Sequence, residues 1–358
     1  MLIFDAHLDL SMNAMEWNRD LRLPLVEIRR RELGLTDLPD RTRGVVCFPE
    51  MRRGRIGLCI ATQIARYSTR FSKLPGWCSP EQAYAQTQGQ LAWYRTMEDA
   101  GQLVQLRTWP QVEAHAKLWR EATTEQTQSL PIGYLLSLEG ADSILSWKHL
   151  EKSRADGLIA LGPVHYGPGI YGHGTDDEGP LTPRGRDLLK EMERLGIILD
   201  VTHLCDESFW DALANYNGPL WASHHNCRAL ANWNRQLTDD QIKAIIERGG
   251  VIGMALDAIM MVEGWTHHRS TPQDFNLKLD KICDHIDHIC QLAGNAWHVG
   301  FGTDLDGGFG TEQMPMDLNS IADLQTLATP LAKRGYNPTD IESIFSGNFF
   351  RFLSEHLT

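Results

Sequence analysis

The chain has 358 residues, 42 % of them hydrophobic, and carries 34 Lys and Arg against 46 Asp and Glu, a formal net charge of −12. An acidic chain without a basic run lacks the clustered cations that neutralise phosphates, which excludes nucleic acid as a partner. No apolar stretch approaches the roughly 18 residues of a spanning helix, so no membrane is expected. MLIFDAHLDLS carries acids where a signal peptide has a basic segment, so the expected location is cytoplasmic.

In chain order, mostly apolar runs recur at residues 2–9, 56–64, 131–139, 157–165, 196–203, 219–225, 250–256 and 298–306. Runs of this length and composition predict strands covered on both faces. Helical patterns separate them and carry start and stop signals. Ser79-Pro80-Glu81-Gln82 and Thr238-Asp239-Asp240-Gln241 are capping boxes; Thr182-Pro183 and Asn337-Pro338 begin further helices; Gly196 and Gly249-Gly250 end two of them. Eight strands alternating with helices predict a (β/α)8 TIM barrel, an α/β fold whose active site lies at the C-terminal ends of the strands. No linker interrupts the pattern, so residues 1–358 are expected to form a single domain. The rival open sheet would need a phosphate loop, but no helix opens after the glycine-rich segment 167–174. Residues 10–55 and 166–181 read as insertions, the second on the active-site side. Seven irregularly spaced cysteines, without a CxxC pair, predict reduced thiols rather than a disulfide framework.

The ends of these strands carry the chemistry. They deliver His7 and Asp9, Glu139, His165, His203, His224, and Asp304 with Asp306. Burying such groups unpaired costs several kcal/mol, so their recurrence at one rim needs a shared cause. Metal coordination supplies it: imidazoles with carboxylates make a nitrogen/oxygen site suited to zinc and open to other divalent metals. Glu139 is placed to bridge two ions, and a bridged pair generates a hydroxide nucleophile at neutral pH.

Read alone, each residue has a plainer explanation. Glu139 before Gly140 reads as a helix cap, His203 and His224 as satisfied core histidines, Asp304 or Asp306 as a loop cap. Cys205 and Cys227 read as first-turn residues of the helices that follow, not as ligands. His225 should point away from His224. Trp265, His267 and His268 read as a solvated loop on the site side, with pocket-shaping as the alternative. His115, His149, His285, His288 and His356 read as surface residues, and Gly347-Asn348-Phe349-Phe350 as a tight turn that buttresses the barrel. Only the joint pattern points to metal.

That pattern resembles the renal (membrane) dipeptidase family of zinc peptidases. The matching pieces run in order along nearly the whole chain: Asp5-Ala6-His7-Leu8-Asp9, Ser137-Leu138-Glu139-Gly140, Pro163-Val164-His165, Gly179-Pro180-Leu181-Thr182-Pro183-Arg184-Gly185, Leu199-Asp200-Val201-Thr202-His203, Ala222-Ser223-His224, Asn234-Arg235-Gln236-Leu237-Thr238-Asp239, Gly302-Thr303-Asp304-Leu305-Asp306-Gly307 and Gly347-Asn348-Phe349. The resemblance implies two zinc ions, one held by His7, Asp9 and Glu139, the other by Glu139, His203 and His224. It implies that His165 contacts the scissile carbonyl, Asp304 handles the proton, and Arg235 grips the substrate carboxylate. It further implies a dipeptide substrate, hydrolysis by a metal-bridging hydroxide, and a homodimer, and leaves open whether the C-terminal residue is an L- or a D-residue. Departures fall on the lining: Ala6 and Leu8 stand where the family usually has Gly and Asn, Tyr166 follows His165 in place of Asn, and His225 follows His224 in place of Ser. Substrate preference is therefore the property expected to differ. The rivals are another dinuclear-metal amidohydrolase acting on N-acyl amino acids, lactones or cyclic amides, and a non-catalytic ligand-binding barrel. The absence of His-x-His on the first strand counts against the first, and the complete ligand set against the second.

Overall fold

The structure is a computed structural model that describes residues 1–357 apart from 71 and 73. Its strands are β1 (Ile3–Leu8), β2 (Ile56–Ile64), β3 (Leu103–Gln105), β4 (Ile132–Glu139), β5 (Leu158–Gly162), β6 (Ile198–Asp200), β7 (Leu220–Trp221), β8 (Ile252–Met254) and β9 (Val299–Phe301). Neighbours pair in the order β7-β6-β5-β4-β2-β1-β9-β8, every ladder parallel. A parallel bridge between Ala222 and Ile252 closes the ring. There the Ala222 amide donates to the Val251 carbonyl at 3.1 Å and the Gly253 amide to the Ala222 carbonyl at 2.8 Å. This is the (β/α)8 barrel expected from the sequence. The ring strands are buried residue by residue, which is why they read as near-continuous apolar runs.

β3 was not anticipated. It pairs Ile132–Tyr134 of β4 from outside the ring, while β5 takes up Leu136–Glu139. The later strands are also shorter than the apolar runs. β7 keeps only Leu220 and Trp221 of the run 219–225.

Helix starts follow the caps. The Ser79, Thr182, Thr238 and Asn337 side chains each accept an amide in the first turn of the helices Pro80–Asp99, Pro183–Leu195, Asp239–Glu247 and Pro338–Glu342. Gly196 ends its helix at φ 63°. Beneath the strands, Phe349 stacks on Phe4 at 5.3 Å, and the Asn348 amide donates to the Ala296 and Val299 carbonyls at 2.6 and 2.7 Å. Residues 347–350 do buttress the barrel, but from the start of a helix, Asn348–His356, not from a tight turn.

Two histidines read as surface residues are core groups. His115 is buried with Nε2 3.2 Å from the Gly57 carbonyl. His285 is fully buried: Nδ1 accepts from the Cys227 amide at 3.1 Å, and Nε2 lies 3.1 Å from the Met261 carbonyl. That pair of partners fixes the neutral, Nε2-protonated tautomer. His149, His288 and His356 are half-buried. The helical pattern placed these residues on helices but did not say which face packs inward. Among the described residues, no helix is long and apolar enough to cross a membrane.

Candidate active site

At the C-terminal ends of the strands the side chains converge on Glu139, the last residue of β4. Its Oε1 lies 3.0 Å from His203 Nε2 and 3.3 Å from His224 Nε2, and its Oε2 lies 3.8 Å from His7 Nε2. His7 Nε2 is also 3.5 Å from Asp9 Oδ2 and 3.7 Å from Asp304 Oδ1. Three overlapping groups, His7/Asp9/Glu139, Glu139/His203/His224 and His7/His224/Asp304, have donor atoms within 4.8 Å of one another. His203 and Asp304 sit three residues beyond Asp200 and Phe301, where their strands end, at φ 69° and 57°. Non-glycine residues in this region are uncommon and cluster at functional sites.

A set of hydroxyls that the sequence reading missed turns the imidazoles inward. Thr175 Oγ1 lies 2.8 Å from His203 Nδ1, Ser223 Oγ 2.9 Å from His224 Nδ1, and Thr62 Oγ1 3.4 Å from His7 Nδ1. Each ring therefore presents Nε2 to the centre, the arrangement by which outer partners orient metal ligands. Two further carboxylates tie strand ends together. Asp5 accepts from the Thr303 amide and hydroxyl at 2.9 and 2.5 Å and from the His7 amide at 3.2 Å. Asp200 Oδ1 accepts from the Thr202 and Ser223 amides at 3.1 and 3.0 Å.

The electrostatics are unbalanced without a cation. Burial opposes charge on His7, yet Glu139 and Asp9 outweigh it and push the imidazole up to about 10. Burial pushes Glu139 up to about 7 and Asp304 well above the usual carboxylate range. Burial first, then nearby cationic groups, holds His165, His203 and His224 well below the ordinary imidazole value, in the neutral form that ligates metals. His7 Nε2, Asp9 Oδ1 and Glu139 Oε1 are buried without a hydrogen-bond partner among the described residues. Orphaned donor atoms at the centre of a charged cluster are what a divalent metal satisfies, so the residues present fit such a group.

Around this centre stand the substrate candidates. Arg66 Nη1 lies 3.4 Å from His165 Nδ1; a guanidinium only donates, so His165 carries its proton on Nε2. Arg235 is 3 % exposed. Its Nη2 donates to the His224 carbonyl at 3.0 Å and lies 3.3 Å from His203 Nε2, while Nη1 has no partner among the described residues. Reading residue types alone would leave Arg235 on a surface loop. The structure instead lays residues 226–237 back over the strand ends, pinned by the Leu237 amide donating to the Asn226 carbonyl and the Arg228 amide to the Leu237 carbonyl.

Other candidates fall outside. Asp306 turns away and accepts from the Val45 and Val46 amides, anchoring the 10–55 insertion. Cys205 precedes the helix Asp206–Asn215 as its cap residue, its thiol donating to the Gly179 carbonyl. Cys227 lies in the 226–237 segment and not in a helix, because it bridges to Leu237 and its thiol donates to the His285 carbonyl. His225 backs the site, its Nε2 accepting from the His203 amide at 3.3 Å. Trp265 is buried, its ring tilted at 34° to that of Phe275 with centroids 5.5 Å apart. His267 and His268 line the mouth of a cavity of about 1010 Å³ that opens onto Glu139, His165, Arg235 and Asp304, so their loop shapes the pocket.

Comparison with known proteins agrees with this fold. The family model "Membrane dipeptidase (Peptidase family M19)" matches residues 1–357. A Klebsiella pneumoniae protein from the pqqA 5′ region is 32 % identical over 215 residues, which is 58 % of this chain and 75 % of that protein. The crystal structure of dipeptidase AC, an M19 metallopeptidase, is 25 % identical and superposes with a TM-score of 0.79 over 100 % of this chain and 99 % of that one. A Rhodobacter sphaeroides metallopeptidase bound to a phosphinate mimic of the dipeptide L-Ala-D-Ala is 25 % identical, with a TM-score of 0.77 over the same shares of the two chains.

Proposed function

This chain belongs to the membrane dipeptidase family, peptidase family M19, and from that premise we propose that it hydrolyses dipeptides with two zinc ions held around Glu139. His7, Asp9 and Glu139 would hold one, and Glu139, His203 and His224 the other. The observation that carries this reading is the set of orphaned donor atoms, His7 Nε2, Asp9 Oδ1 and Glu139 Oε1, packed together out of solvent. When bound, such ions polarise a carbonyl and make water acidic enough to attack at neutral pH.

The chain's own groups do the rest. Arg235 offers its unpaired Nη1 to the free carboxylate of the C-terminal residue, a planar anion that guanidinium matches better than ammonium. His165 directs its Nε2 proton at the carbonyl oxygen and stabilises the negative charge that develops there, worth roughly 3–4 kcal/mol for a well-placed donor. Asp304, whose burial raises the proton affinity of its carboxylate, takes a proton at a carboxylate oxygen and returns it to the leaving amine. Anchoring the carboxylate one residue from the scissile bond restricts the enzyme to dipeptides. The bound mimic in the Rhodobacter sphaeroides protein supports acceptance of a D-residue at the C-terminal position.

Elemental analysis of the purified protein, beside a panel of L,L and L,D dipeptides and N-acyl amino acids, tests the reading. About two metal ions per chain with dipeptide cleavage is the expected result. Cleavage confined to N-acyl amino acids overturns the substrate, and failure to bind metal after zinc is supplied overturns the site.

A further inference from the structure

A dipeptide does not fill this cavity. At about 1010 Å³ it lies at the upper end of the range for small-molecule sites, and its outer wall has a polar constellation that neither the metal ligands nor the proposed mechanism uses. Asp257, Gln313 and His267 come from the loops that follow β8 and β9 and all face the cavity. Gln313 Nε2 donates to Asp257 Oδ1 at 2.8 Å, and Gln313 Oε1 lies 3.1 Å from His267 Nδ1. The chain of bonds fixes the orientation of the amide, because its oxygen cannot donate and its nitrogen cannot accept. Asp257 Oδ1 also accepts from the Ile259 amide at 3.2 Å. Both bonds fall on one oxygen, so Oδ2 has no hydrogen-bond partner among the described residues.

We propose that Asp257, held by Gln313 and His267, is a subsite for a cationic side chain on the C-terminal residue of the substrate, a lysine-like ammonium or a guanidinium. The inference rests on the dipeptidase reading. The side is assigned by Arg235, which lines the same cavity as Asp257 and takes the carboxylate of the same residue in that reading. A substrate anchored there has Asp257 on the wall of the same cavity. Burial pushes the Asp257 carboxyl up to about 7, and a cation brought against Oδ2 favours the charged form and pairs it. A neutral side chain of equal length leaves that oxygen without a partner, the kind of discrimination that polar sites make well.

The test compares Ala-Lys with Ala-norleucine, which lacks only the ammonium, in the zinc-loaded wild type and in Asp257→Asn. Calorimetric binding is measured beside kcat/KM, so the subsite is read whether or not turnover occurs. Ala-Lys should be favoured at least tenfold in the wild type, and that ratio should fall at least tenfold in Asp257→Asn. Gln313→Leu, which removes the support and keeps the carboxylate, should reduce the ratio by a smaller factor. An unchanged ratio in Asp257→Asn overturns the subsite, as does an equal loss on both peptides, which would assign Asp257 to the α-ammonium group. A preference that follows Lys-Ala over norleucine-Ala overturns the C-terminal assignment. Binding selectivity without cleavage of any peptide would keep the subsite and refute the dipeptidase reading.

Discussion

Arg235 and Asp304 divide binding from chemistry. Arg235→Lys keeps the charge and loses the fork, so KM for dipeptides should rise about tenfold with kcat little changed; an unchanged KM in steady-state kinetics would remove Arg235 from substrate binding. Asp304→Asn keeps the shape and loses the proton acceptor, so kcat should fall about 10²–10⁴-fold while elemental analysis still finds the metals. Loss of metal in that variant would make Asp304 a ligand, the role its 3.7 Å approach to His7 also permits. At this scale much of the site was legible in the sequence. Burial makes an ionisable residue at the end of an apolar run costly, so His7, Asp9, Glu139, His203, His224 and Asp304 stood out from their neighbours. Thr62, Thr175 and Ser223 did not, because a hydroxyl in a strand or loop is unexceptional until the imidazole it orients is seen beside it. Arg235 was identified through resemblance, since no local pattern tells an arginine folded over a site from one in solvent.

The elements that carry these residues meet most tightly where β7, β8 and β9 adjoin. A Cβ on Gly253 would lie 1.8 Å from the Ser223 carbonyl oxygen, and one on Gly302 would lie 1.7 Å from it. Ser223 precedes His224, so the two glycines let three strand ends close together beneath a metal-ligand candidate. Gly302→Ala should cost about 3 kcal/mol in chemical denaturation and weaken metal binding along with it. Full stability with metal affinity intact would show that the contact yields freely. The ring strands were readable because each is apolar on both faces, as covered parallel strands are. β3 escaped because three residues, Leu103–Gln105, pair only the first part of β4, too few to form a periodic signal. His115 and His285 were misplaced for a related reason: a single polar residue on the inner face of an amphipathic helix looks like part of the outer face.

His285 also bears on the stability of the whole molecule. Burial lowers its pKa to about 4, against roughly 6.5 for an unfolded chain. The folded state therefore binds its proton less readily than the unfolded state. Its contribution is complete above pH 6.5 and is lost as pH falls through the window from 6.5 to 4, up to about 3 kcal/mol. Denaturant titrations across that window should show a shallower acid decline in His285→Asn than in the wild type, and parallel declines would assign the loss to other groups. The ring itself is uneven. One side is laced by long ladders between β1, β2 and β4; the other runs through β6 and β7, three and two residues long, to the Ala222–Ile252 bridge. The thin arc continues through β8 and β9, three residues each, to a single register pair, Asp5 with Phe301, at β1, and a hoop opens where its ladders are shortest. His203 and His224 stand on that arc, whereas His7, Asp9 and Glu139 stand on the laced side. Thermal breathing would thus loosen the two candidate ion positions at different rates, and an ion seated by His203 and His224 would exchange with bulk before its neighbour does.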